Sequence, residues 1–381
     1  MKIVIAPDSF KGSLTALEVA NAIEEGLKKY DETFELEKVP MADGGEGTVE
    51  SLVSLTNGEI ITVDVKDPLM REIKGFYGLL GDKKTAVIEM AAASGLPLLK
   101  ENEKNPLITS TYGTGQLIKD ALDRGCNNFI IGIGGSATND GGTGMLKALG
   151  VKFLDENNNE VKDGAIELDK LLTIDMSGFD KRIFECDIKV ACDVQNPLCG
   201  ENGASYVFGA QKGADEELMA ILDKNLYHYG EVLEKTFNTE VINVPGAGAA
   251  GGMGAAFIAV IKGKLERGID IIIQESKLNE KLENADLVFT GEGKIDFQTK
   301  FGKTPFGVAS EAKKKDIPVI ALAGSVGEGT DTLYEAGFDG IFSIMDSPMT
   351  LEEAIKDSEN LVKEAAYRII NLYMAHERKV K

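Results

Sequence analysis

The stretch Phe129 to Gly144, FIIGIGGSATNDGGTG, decides how this chain is read. Phe129, Ile130, Ile131 and Ile133 are apolar residues of strand type. A loop with glycine at 132, 134, 135, 141, 142 and 144 follows, and then MLKAL, which has helical character. Strand, glycine loop and helix in that order bring bare backbone N–H groups and a positive helix N-terminus up to an anion. Glycine suits such a loop because it tolerates φ > 0 and lets a ligand approach the main chain. A tight turn alone needs fewer than these six glycines. The stretch therefore predicts a phosphate or carboxylate site without choosing between them. Its candidate donors are Gly134, Gly135, Ser136, Gly141 and Gly142.

Composition narrows the surroundings of that site. The 381 residues suffice for two domains and a large core. Hydrophobic content of 43% and charged content of 27% are those of a globular protein. The net charge of −21 repels nucleic acid and anionic membranes, so any bound anion must be held locally. Cys126, Cys186, Cys192 and Cys199 show no zinc-type spacing, and scattered thiols suit a reducing, cytoplasmic setting. The opening MKIVIAPDSF reads as a strand and not as a signal peptide. The uncharged run Val241 to Ile261 is broken by Asn243 and Pro245, which argues against a membrane span. The only histidines are His228, in a helical pattern that predicts packing, and His376, in a polar tail. A general base is therefore expected to be a carboxylate.

Working outward, both chain ends read as alternating strands and helices. KIVIA, residues 2–6, is a buried strand, and Thr15 to Glu18 is a capping box that opens a helix. Asp8, Ser9 and Lys11 lie in the loop between them, where open α/β sheets hold ligands. A strand from Phe34 to Val39 leads to Asp43-Gly-Gly at a helix start, which echoes Asp140-Gly-Gly. After about Ile60 the pattern changes to alternating strands, with Glu89 at the end of one. The strand IKVACDV ends at Asp193, and EVINV and IDIIIQE read as further strands. Gly246, Gly248 and Gly251 match GxGxxG, a weak signal on its own for a dinucleotide. From Ala285 the α/β rhythm returns. The strand ADLVFT leads to Glu292, Lys294 and Asp296, and a last amphipathic helix turns Ile355, Val362, Ala366 and Ile369 inward. Gly302-Lys303-Thr304 is not a P-loop, because Phe297 stands where that motif needs glycine. The economical reading is one parallel-sheet domain made from both ends and interrupted by an inserted domain.

Eight motifs in order, PDSFKGSLTA, MADGGEGT, STYGTGQL, IGIGGSATNDGGTG, CDVQNPLCGENGA, FGAQKGA, PGAGAAGG and TGEGKIDFQTKFGKTP, resemble the type I glycerate kinase family over nearly the whole chain. The resemblance implies an α/β protein of two domains. A Rossmann-like parallel-sheet domain would comprise 1–60 plus 285–381, and an inserted α/β domain with a mixed sheet 61–284. The active site would lie in the cleft between them. It also implies ATP- and Mg²⁺-dependent phosphorylation of D-glycerate, mostly to 2-phosphoglycerate, though members are often labelled as making the 3-phosphate.

On that reading Lys11, Lys294 and Lys303 supply charge for phosphate or carboxylate. The glycine loops, including Gly246, Gly248 and Gly251, offer backbone donors. Asp193 or Asp296 would accept the hydroxyl proton, and Asp8, Ser9, Asp43, Glu292 and Lys294 would bind substrate. Mg²⁺ would be held through Asp8 or Asp43, since it usually takes only one or two protein carboxylates. The expected partners are small molecules, with no nucleic acid and no membrane, and a homodimer is left open. Two other classes are weighed beside the kinase. One is an NAD-dependent oxidoreductase of a small hydroxy acid using Gly246 to Gly251. The other is a non-catalytic nucleotide- or anion-binding protein.

Overall fold

The computed structural model describes residues 1–380, without the side chains of 301 and 376–380, so the expectation for His376 lies outside the described residues. The chain divides into two units. Met1–Asp43, Glu50–Leu55 and Ile269–Lys381 make the first, Gly44–Val49 and Thr56–Gly268 the second. The chain thus re-enters the first unit at Ile269, earlier than the expected 285. The glycine segment Gly44–Val49 goes with the inserted unit.

The first unit is built on five parallel strands. Their spatial order is Gly340–Ser343, Val319–Val326, Leu287–Ile295, Lys2–Ile5, Glu35–Lys38. Counted along the chain within this unit, that is the doubly wound order 2-1-3-4-5. Ile3, Ile5, Leu287, Phe289 and Leu322 bury the sheet face against Val19, Ile23 and Leu27 of the helix Ala16–Tyr30. Each such side chain contributes roughly 1.5–3 kcal/mol by leaving water. Thr15 and Glu18 form the predicted capping box at the helix start. The helix Ser358–Val380 packs so closely on it that a Cβ on Gly26 would sit 2.3 Å from the Lys363 carbonyl oxygen.

The second unit holds a six-stranded mixed sheet. From one edge it runs Glu59–Lys66, Glu72–Leu79, Thr85–Glu89, Asn128–Gly132, Asp187–Ala191, Lys264–Glu266. The first two pairings are antiparallel and the remaining three parallel. A short ladder, Lys152–Leu154 with Thr173–Asp175, lies apart from it. No helix among the described residues is long and apolar enough to cross a membrane. The four cysteines are free thiols, and His228 Nε2 lies 2.7 Å from the Leu171 carbonyl oxygen, a packing role.

Three segments differ from the sequence reading. IDIIIQE belongs to a helix, Gly268–Glu275, with Ile269, Ile271 and Ile272 fully buried. A short continuous apolar run does not distinguish a buried helix from a buried strand. EVINV is not a strand, because the Val241 and Ile242 N–H groups donate to the Glu234 carboxylate at 2.8 and 3.0 Å in place of a ladder. The last helix is two, Leu351–Lys356 and Ser358–Val380. Ile355 lies outward at 41% exposure, while Val362, Ala366 and Ile369 are buried.

Candidate active site

In a 2-1-3-4-5 sheet, ligands gather beyond the carboxyl ends of strands 1 and 3, where the winding reverses. Here those ends belong to Lys2–Ile5 and Leu287–Ile295. The first runs into Pro7, Asp8, Ser9 and Lys11, and the second carries Glu292 and Lys294 into Asp296. The Asp8 N–H donates to the Gly291 carbonyl at 2.8 Å, which holds the two segments together. Asp8 is 6% exposed. Burial, and then the charge of Asp43, push its carboxyl up to about 7, against the Ser9 N–H at 2.6 Å, the Thr304 hydroxyl and the Lys11 charge. The Thr304 hydroxyl is itself buried with no partner at hydrogen-bonding geometry. Thr304 is a further candidate residue, and its only signal in the sequence is its place after Gly302-Lys303.

Beside this pair lies a chain of ion pairs. Glu292 accepts from the Thr299 hydroxyl at 2.7 Å and from Lys303 Nζ at 3.0 Å, and burial raises its pKa. Lys294 Nζ stands 3.0 Å from Asp296, whose pKa that bond lowers. Asp296 also caps the turn Phe297–Phe301 by accepting from the Gln298 N–H at 2.9 Å. A carboxylate held ionised in this way is a weak proton acceptor. Lys11 and Lys294 are exposed.

In the second unit the parallel strands end at Glu89, Gly132 and Ala191. Glu89 accepts from the Val49 N–H at 2.9 Å, which anchors the helix Thr48–Thr56 behind the Gly44–Gly47 turn. Asp193 accepts from the Gly268 N–H at 3.0 Å and so holds the start of the helix that replaced a predicted strand. In the loop after Gly132, Gly134 and Gly135 are exposed. Ser136, Gly141 and Gly142 are buried. The Gly141 and Gly142 N–H groups are already used, by the Gly251 carbonyl at 2.9 Å and the Asp140 carboxylate at 3.1 Å.

Asp140 organises this turn. It is fully buried and accepts from the Thr111 N–H and hydroxyl at 2.9 and 2.8 Å and from the Gly144 N–H at 3.1 Å. The echo Asp43-Gly-Gly and Asp140-Gly-Gly thus hides two roles. Asp140 satisfies backbone, whereas the Asp43 charge bears on Asp8. Lys212, also unselected from sequence, is 1% exposed and donates to the Thr138 carbonyl at 2.6 Å. Burial pulls its pKa down to about 7 against the attraction of Asp140. Its only sequence signal was its place in FGAQKGA.

The GxGxxG match has no strand before it, since Val241–Val244 forms a turn. Gly246, Gly248 and Gly251 are buried. A Cβ on Gly248 would lie 2.1 Å from the Pro197 carbonyl oxygen, and one on Gly251 2.1 Å from that of Thr138. A dinucleotide fingerprint needs the strand and an open loop, so the oxidoreductase reading loses its only support. For a metal, no group of three or more His, Cys, Asp or Glu among the described residues could hold an ion. Asp8, Asp43 and the Thr304 hydroxyl beside Asp8 offer oxygen only. That donor set fits Mg²⁺ held mainly by phosphate oxygens.

The profile of the glycerate kinase family matches residues 3–374. A glycerate kinase of Bacillus cereus is 52% identical over 97% of both chains. The glycerate 2-kinase of Escherichia coli is 50% identical, again over 97% of both. A crystal structure of a Salmonella typhimurium protein provisionally named glycerate kinase 2 superposes with a TM-score of 0.92 at 48% identity, covering 99% of each chain.

Proposed function

Because the chain belongs to the glycerate kinase family, we propose that it transfers the γ-phosphate of ATP to the 2-hydroxyl of D-glycerate. The observation that carries the chemistry is Asp8, a buried carboxyl at the sheet's switch point with its pKa raised to about 7. A base poised near the working pH is what hydroxyl activation requires. The glycerate oxygen attacks the γ-phosphorus, the bond to the β-bridging oxygen breaks, and the hydroxyl proton passes to Asp8. This replaces Asp193 and Asp296 as first choice for the base, since Lys294 lowers the pKa of Asp296 and Asp193 holds the start of the helix Gly268–Glu275. Phosphoryl transfer otherwise asks for positioning and charge neutralisation. Lys11, Lys294 and Lys303 supply positive charge, and Gly134 and Gly135 offer exposed backbone. Mg²⁺, bound through Asp43, would offset negative charge on the transferring phosphoryl group.

The test supplies ATP, Mg²⁺ and D-glycerate, with enolase as the only coupling enzyme. Phosphoenolpyruvate is the expected product, because enolase uses the 2-phosphate. A signal only after phosphoglycerate mutase is added would move the phosphate to the 3-hydroxyl. No ADP release would refute the kinase. We further propose a cytoplasmic location, in keeping with the four free thiols, and a homodimer, which sedimentation would test.

A further inference from the structure

We propose that Lys212 is a positioning residue that sets the geometry of the anion-binding loop 134–144 by clamping the Thr138 carbonyl. Two other segments meet on that one oxygen. Lys212 Nζ donates to it at 2.6 Å from the turn Ala210–Lys212. The backbone of Gly251 presses on it so closely that a Cβ would come within 2.1 Å. Three residues on, the Gly251 carbonyl accepts the Gly141 N–H at 2.9 Å, so the same contact ties down both ends of the buried turn.

Asp140 holds the far side of the turn through the Gly142 and Gly144 N–H groups. The Thr138 hydroxyl, the Asn139 side-chain Oδ1 and the Tyr229 hydroxyl are buried without a partner, although Tyr229 packs against Gly141 and Asn139 Nδ2 donates to the Ser205 hydroxyl. A buried lysine is expensive, and packing alone would be served as well by methionine. Its retention here is explained if the ammonium orients the loop whose exposed rim is Gly134 and Gly135. Asp140 and Tyr229 are the titratable groups facing this corner, and Lys212 is its one buried cation among the described residues.

The activity arm rests on the kinase reading, and a second arm does not. Lys212→Met should remain folded, with an unchanged or higher Tm, because it removes a buried charge. It should raise KM for ATP or glycerate about tenfold or more, with a smaller effect on kcat. Independently of any substrate, amide hydrogen exchange at Gly141, Gly142 and Gly144 should quicken about tenfold or more. Lys212→Gln keeps a donor of shorter reach and should fall between. If Lys212→Met does not fold, Lys212→Gln carries both readouts. Unchanged exchange overturns the proposal whatever happens to activity. Faster exchange with normal KM for both substrates overturns it too. A failure of the kinase reading would appear in wild type as absent turnover, and would leave the exchange result to be judged alone.

Discussion

Asp8→Asn separates what Asp8 costs the fold from what it does for the reaction. The folded protein lifts this carboxyl from 3.8 to about 7, first by burial and then by the charge of Asp43. At about 1.4 kcal/mol per pH unit, holding it ionised at neutral pH costs roughly 4 kcal/mol. Between the two values the folded chain keeps the proton and the unfolded chain has released it. Stability from this residue is therefore greatest below 3.8, falls as pH rises through that window, and levels off above about 7. Asparagine keeps the size and does not titrate. In urea denaturation without metal, the variant should gain on wild type between about pH 4 and pH 8, by an amount approaching 4 kcal/mol. Its turnover should fall by about 10²–10⁴-fold, as for a lost general base. An equal stability difference at both pH values, or normal turnover, would refute the reasoning.

Three further perturbations test neighbouring claims. Asp43→Asn removes a charge that raises Asp8, so in the metal-free protein the Asp8 carboxyl should titrate at lower pH by NMR; an unmoved titration contradicts the coupling. Gly251→Ala places a Cβ 2.1 Å from the Thr138 oxygen at φ +66 and should cost at least about 2 kcal/mol, read from the urea midpoint. Asp140→Ala strands the Thr111, Gly142 and Gly144 N–H groups and should destabilise by about 3 kcal/mol or more in the same assay.

The positions of Asp8 and Glu292 in the candidate site were legible because position relative to a strand end follows from local pattern. Asp8 and Glu292 stand at or just past apolar runs, and the capping box at Thr15 announced the helix that follows. What stayed hidden depends on neighbours far along the chain. Gly246, Gly248 and Gly251 look like a ligand loop until Pro197 and Thr138 are seen pressed against them. Glycine permits close approach of any group, and spacing does not say whether the group is a phosphate or the protein's own carbonyl. The pair Asp43 and Asp140 makes the same point, since the shared Asp-Gly-Gly does not show that Asp140 is fully buried on backbone N–H groups while the Asp43 charge bears on Asp8.

By itself the sequence determined the alternation of elements, the return of the chain's end to the sheet begun by its start, and the family. These follow from hydrophobic periodicity and from motifs in order, both readable along one dimension. Only the tertiary structure decided that IDIIIQE is helical, that Asp193 and Asp296 hold backbone, that Asp8 carries the raised pKa, and that Lys212 is buried on Thr138. A pKa and a hydrogen-bond partner are properties of surroundings assembled from distant segments, and desolvation exists only once those segments have closed around the group.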